Sequence, residues 1–242
     1  MGCLFNFKKS NTAVPNVLLA STLKKAKSPE QCKCIDFFLD VAATKGKKGC
    51  GCLKKNSEWT VDDYIAYVDD FVAGLDLRQR AITKIGLAES QISEITPIVL
   101  SSFVRRGDNI YWKTNENGTK YVTNKFSVTW IFFSPTQIYT HTYIFDTMSD
   151  NTEESTSEFF YSDITCIRTC QEVEEVVYTT NLAAGCGCLK ETESSDARYH
   201  RKWYNLQITV PNDSYSFACR ATDTLEESVQ AAKAMIRQKK LG

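Results

Sequence analysis

The sequence predicts an α+β protein: a helical, Lys-rich N-terminal region over residues 1–100, then an antiparallel β unit over residues 101–242 closed by a C-terminal helix. Three observations carry this. Before Pro97, apolar residues recur at helical spacing between capping signals. After Pro97 the chain turns β-branched and aromatic, with alternation clearest at Gln137–Phe145. The end of the chain, "TDTLEESVQAAKAMIRQKK", returns to helical spacing.

The first helix is predicted in "SPEQCKCIDFFLDVAAT", where Ser28 offers an N-cap and Pro29 takes the first helical position. Ile35, Phe38, Leu39 and Ala42 then share one face, and the run "TKGKKGCGC" ends it. In the second helix, "SEWTVDDYIAYVDDFVAGL", Thr60 and Asp63 form a capping-box pattern, and Asp62 and Asp63 meet the positive end of the helix dipole. Ile65, Val68, Phe71 and Val72 form its stripe, with Gly74 as its stop. Asp76 caps a third helix, "LRQRAITKIG", and "AESQISEI" reads as a fourth. Strands follow in "KFSVTWIFFSPTQIYTHTYIF", turning at Ser134-Pro135, and in "EFFYSDITCIRT", "WYNLQITV" and "SYSFACRA", the last two joined by the turn Pro211–Asp213. Leu225, Val229, Ala232 and Ile236 line one face of the final helix, with Glu226 and Glu227 near its start and Arg237, Lys239 and Lys240 near its end.

The 242 residues have a formal net charge of zero, which conceals an asymmetry. Residues 1–56 hold eleven lysines and no arginine against Glu30, Asp36 and Asp40, a net of +8. The remaining 186 residues carry 18 basic and 26 acidic groups, a net of −8. Such an arm suits an anionic membrane surface, nucleic acid or the protein's own acidic body, or is simply a solvated Lys-rich segment, the reading favoured here. No segment reaches the ~18–20 apolar residues of a membrane-spanning helix, and no signal-peptide pattern precedes Lys24-Lys25. The expected location is cytoplasmic or peripheral to a membrane, where ten cysteines stay reduced or bind metal.

From Ser101 onward, "YSDITCIR" as a central strand and "LQITVPNDSYSFACRATDTLEESVQAAKAMIRQ" as two closing strands and a helix resemble the bacterial pleckstrin-homology-like (PH-like) family. That resemblance implies a split β-barrel plugged by its last helix, and a non-catalytic binding or scaffolding module for a protein or peptide partner. Members that bind phosphoinositides cluster Lys and Arg in the first hairpin. Here "RRGDNIYWKTNENGTKYVTNK" disperses Arg105, Arg106, Lys113, Lys120 and Lys125, so phosphoinositide binding is not expected.

The hexapeptide "GCGCLK" occurs at Gly49–Lys54 and again at Gly185–Lys190. Cys32, Cys34, Cys50 and Cys52 make two close pairs joined by a spacer, the arrangement that delivers four thiolates to zinc. Against that, Cys32 and Cys34 fall on a predicted helix, where side chains two apart diverge by ~200°. Cys166, Cys170, Cys186 and Cys188 repeat the theme, but Cys166 and Cys170 stand ~13 Å apart along a strand, too far for one ion. Free thiols are the plainer reading: exposed in the two hexapeptide loops, protected at Cys166, Cys170 and Cys219. A metal-binding or thiol-redox role for the loops is the alternative function. "MGCLFNFKKS" loosely matches acylation at Gly2 and Cys3, although Asn6 stands where Ser or Thr is preferred. His141 reads as a packed strand residue, and His200 lies twelve residues beyond Cys188 without supporting catalytic context. No phosphate loop, zincin or nucleic-acid motif appears, so no enzyme is expected.

Overall fold

The computed structural model describes residues 19, 21–25, 27–39, 59–92, 95–115, 117–184, 191–220 and 223–241. Three helices come first: α1 (Pro29–Leu39), α2 (Val61–Ala73) and α3 (Leu77–Ile85). Nine strands follow: β1 (Ile98–Phe103), β2 (Trp112–Thr114), β3 (Tyr121–Thr123), β4 (Lys125–Phe133), β5 (Gln137–Asp146), β6 (Thr152–Phe160), β7 (Cys166–Ala184), β8 (Glu191–Val210) and β9 (Asp213–Cys219). Helix α4 (Asp223–Leu241) ends the chain. The architecture is therefore mixed helix and antiparallel sheet with a C-terminal helix.

The helix boundaries follow from local chemistry. The Ser28 hydroxyl accepts from the Gln31 backbone N–H at 3.1 Å, and the Gln31 side chain accepts from Ser28 N–H at 2.9 Å. Thr60 and Asp63 close the same reciprocal box at the start of α2. Asp76 accepts from Gln79 N–H at 3.3 Å to open α3, which ends at Gly86 with φ 79°, a conformation suited to glycine. Gly74 ends α2 as expected, in the right-handed region with φ −75°, as the chain turns directly into the Asp76 cap. The expected fourth helix shrinks to one 3₁₀ turn, Glu89–Gln91.

The strands form a four-stranded sheet ordered β1-β4-β5-β6, a β2-β3 hairpin and a three-stranded sheet β7-β8-β9. Among the described residues these are not hydrogen-bonded into one closed barrel. A single backbone bond, Arg220 N–H to Ser101 O at 3.1 Å, ties the chain just past β9 to β1. The segment "EFFYSDITCIRT" is two strands and not one: Asp163 N–H turns back to Phe160 O at 3.0 Å, between β6 and β7. The expected central strand "YSDITCIR" is likewise corrected. Its first half is this turn, and β7 lies at the edge of its sheet.

The central strands β4 and β5 of the four-stranded sheet are buried on both faces, while β6 is largely exposed. Ile98, Leu100, Ile131, Phe133, Ile138 and Phe159 face the second sheet and α4, whose Val229, Ala232, Met235 and Ile236 complete that core. Ile208 is buried there and Val210 and Phe217 are half-buried against it, so the closing strands and last helix share one interior. The opposite face carries Phe103, Phe126, Val128, Tyr143 and Phe145, packed against Ile35, Phe37 and Phe38 of α1 and Tyr64 and Val68 of α2. Further along that face, Phe132 packs against Ala81 and Ile82 of α3. Tyr64 also gives the helical layer a polar anchor: its hydroxyl donates to Thr123 O at 2.9 Å and lies 2.9 Å from Thr147 Oγ1. Asn124 extends the network, donating to Asp146 at 2.8 Å and accepting from Tyr111 N–H at 2.7 Å.

Two stability outcomes follow from this layering. Deleting residues 223–242 uncovers one whole face of the sheet, so the truncated chain is expected to lose cooperative thermal unfolding, as read by calorimetry. Phe132→Ala removes a fully buried ring between α3 and the sheet, with an expected cost of about 3–5 kcal/mol in denaturant titration.

Candidate functional site

Of the residues expected to hold metal, Cys50 and Cys52 lie outside the described residues, as do Cys186, Cys188, Gly2 and Cys3. Cys32 and Cys34 sit on α1, where Cys32 is half-buried and Cys34 fully buried. Burial pushes the Cys34 thiol up to about 11, against hydrogen bonds from Thr147 and Tyr67 that favour the thiolate. Burial likewise pushes the Cys219 thiol up to about 11. Neither is a nucleophile at neutral pH. Among the described residues no three His, Cys, Asp or Glu side chains are grouped to hold a metal ion. Cys166 overturns its expected protection: it is exposed, because it begins an edge strand.

Three of the five dispersed cations of the first hairpin are occupied within the chain. Lys113 Nζ donates to Phe37 O at 2.6 Å and lies 4.5 Å from the Phe37 ring centroid. Lys120 pairs with Asp62 at 2.6 Å. Arg105 pairs with Glu172 at 2.5 Å, while its guanidinium lies 5.6 Å from the centroid of Trp203.

That last contact belongs to the most distinctive feature of the fold. β9 covers β8 only from Tyr204 to Val210. Beyond it, β7 and β8 continue as a two-stranded ribbon from Glu172↔Trp203 to Ala184↔Glu191, a reach of roughly 40 Å at ~3.3 Å per residue. "LAAG" and "KETESSD", read from sequence as loop flanks, supply strand residues here: Leu182–Ala184 and Glu191–Asp196 pair in register. The second hexapeptide therefore joins the ribbon's two distal strand ends.

The ribbon's root is clamped. Trp203 is buried, with Tyr121 at 4.6 Å and Trp112 at 5.7 Å between ring centroids. The Tyr121 hydroxyl donates to Lys202 O. Opposite Trp203, Glu172 accepts from Asn205 Nδ2 at 3.3 Å, and the Arg105 guanidinium holds its carboxyl below the usual range.

Below the root lies an open edge. Among the described residues β7 pairs with β8 alone and β6 with β5 alone, so the turn at residues 161–165 joins two strands that each leave one edge unpaired. An edge of this kind presents backbone donors and acceptors to another chain. Along β7, Cys166, Arg168, Thr169, Gln171 and Glu172 are exposed and Ile167 and Cys170 half-buried, with Val173 57% exposed at the root. Phe160, at the end of β6, is 54% exposed. Large apolar side chains on two free edges are chemistry for contact with another chain. Sequence reasoning missed them because it fused β6 and β7 into one strand; Ser162-Asp163 was the turn signal available.

No family model, curated protein or solved structure matches this chain.

The thiols give a direct check. In the folded protein, modification read by mass spectrometry is expected to label Cys166 rapidly and to leave Cys34 and Cys219 unmodified until denaturant is added. Labelling of Cys34 at the rate of Cys166 would contradict its burial.

Proposed function

We propose that this chain is a non-catalytic binding module of PH-like architecture that captures an extended segment of a partner protein along the free edge of β7. Supporting the architecture is the order of the strands. With the β2-β3 hairpin set aside, a four-stranded meander runs into a three-stranded meander and then a C-terminal helix. The Arg220–Ser101 bond joins the two sheets at one corner, while β6 and β7 stay unpaired at another, as a split barrel requires.

The observation that carries the functional reading is the unpaired edge of β7 beside the clamped root. An added strand gains main-chain hydrogen bonds along Cys166–Glu172, and apolar partner side chains gain contact with Val173. Because Arg105, Trp203 and Tyr121 fix the root in advance, less ordering entropy is lost on binding. Phosphoinositide recognition finds little support, since Arg105, Lys113 and Lys120 are already paired internally. Nothing in this reading calls for a cofactor.

A displayed library of extended peptides tests it. Selected binders are expected to slow amide exchange at residues 166–173 and to lose affinity about tenfold or more in the Val173→Asp variant. Binders that protect α4 or the helical layer, and leave β7 amides unchanged, would overturn the proposal.

A further inference from the structure

Beneath α3, buried polar atoms of two side chains, the fully buried His141 and the half-buried Trp130, lack hydrogen-bond partners. His141, in the middle of β5, is fully buried and bonded at neither Nδ1 nor Nε2; directly opposite it on β4, the indole N–H of Trp130 is unbonded as well. Buried polar groups are bonded in the great majority of cases, so such a pair in one place needs a reason. The carboxylate facing this patch is Glu154 on β6, whose Oε2 lies 3.7 Å from His141 Nε2: too long for a hydrogen bond, close enough for an ion pair.

That carboxylate is also the polar attachment of α3. Arg80 pairs with it, Lys84 Nζ approaches to 3.5 Å, and the Arg80 guanidinium lies 4.8 Å from the Tyr143 ring centroid. The helix's apolar attachment is short: Leu77 is buried at its start in the core shared with α1 and α2, Ala81 and Ile82 are buried against Phe132, and Ile85 and Leu87 are half-buried beside them. An imidazole and two cations of α3 therefore converge on one carboxylate under a short helix.

We propose that His141 is a proton-operated release for α3: neutral, it leaves Glu154 to Arg80 and Lys84, and protonated, it sets a third positive charge against them and loosens the helix from the sheet. The charged groups facing it are Arg80 and Lys84 from α3 and Glu154 from β6. Glu158, further along β6, is bonded to Gln137 at 3.3 Å, and β4 contributes the uncharged Trp130. Burial opposes protonation and Arg80 and Lys84 oppose it further. Glu154 alone favours it, and the balance holds His141 below its ordinary 6.5. Burial raises the Glu154 carboxyl, but Arg80 and Lys84 outweigh this and keep it below 4.5, so it stays ionised while His141 changes.

The sign follows from linkage. With the docked-state value depressed, the released state takes the proton first. Docking is fully stable above about pH 6.5 and weakens as pH falls below it, by up to about tenfold at pH 5.5.

Hydrogen exchange of the full chain, corrected for intrinsic rates, tests this. Between pH 7.5 and pH 5.5, protection of residues 77–85 is expected to fall by up to about tenfold relative to residues 223–241. His141→Gln should abolish that difference, whereas Glu154→Gln should lower protection at both pH values. Equal ratios at both pH values, or a difference that survives His141→Gln, would overturn the proposal. Should His141→Gln fail to fold, NMR decides on the unaltered chain, whose two histidines give separate resonances. A His141 resonance titrating below 6.5 while residues 77–85 lose protection supports the release. One titrating at or above 6.5, or residues 77–85 staying protected throughout, refutes it.

Discussion

Burial of β4 and β5 on both faces of the four-stranded sheet is the constraint from which the rest of this structure follows. A sheet with one wet face tolerates alternating polar residues, but one packed on both sides needs a nearly continuous apolar run. β4 supplies it: Ile131 and Phe133 enter the core shared with α4, while Phe132 between them enters the core shared with α3. Each fully buried side chain of this size contributes about 1.5–3 kcal/mol, so the two faces reinforce the same strand. The helices before residue 98 are thus part of the packing that keeps β4 and β5 dry. The buried Tyr64–Thr147–Asn124 network adds direction, because its hydrogen bonds are satisfied in one seating of α2 on the sheet.

The same layering explains the contrast between the two ends of the sheet's outer face. Under α1 and α2, rings meet rings: Phe37 stacks on Tyr64 at 5.0 Å and Phe103 meets Phe126 edge-on at 4.9 Å. Under α3, the contacts are smaller, and polar groups intrude at His141, Glu154 and Arg80. A nine-residue helix contributes little stability of its own, so α3 depends on its three buried residues, Leu77, Ala81 and Ile82, and on its polar contacts to Glu154.

Much of the fold was legible in the sequence because local chemistry and tertiary structure agree there. Ser28, Thr60 and Asp76 cap the helices they announce, Ser134-Pro135 turns β4 into β5, and Asn212 adopts the positive φ of 69° that its turn requires. What was not legible depends on pairing. "LAA" at Leu182–Ala184 and "ETESSD" carry weak strand propensity, and they become strand because each residue meets a partner in register. The candidate site was hidden for the same reason. Free edges are defined by which strands do not pair, and the Glu154 that faces His141 comes from a neighbouring strand, with no spacing rule connecting them. Cys34 was visible as a residue but not as a buried one, since its helical face is turned toward Thr147 and Tyr67.

The two free edges differ in a way that bears on which of them recruits another chain. Exposed edges invite pairing, and proteins guard them with charge. β6 carries the exposed Glu153 and Glu158, Glu154 between them being held by Arg80 and Lys84, so a second copy laid antiparallel along it brings carboxylates toward carboxylates. β7 carries no such guard between Cys166 and Gln171. Its one charge there, Arg168, is bonded through Nε to Gln207 at 2.7 Å. The acidic residue that follows, Glu172, is held by Arg105 and Asn205 at the root. With Arg168 hydrogen-bonded and Glu172 paired, β7 presents backbone to an incoming strand at lower electrostatic cost than β6, which is why the proposed binding edge is β7.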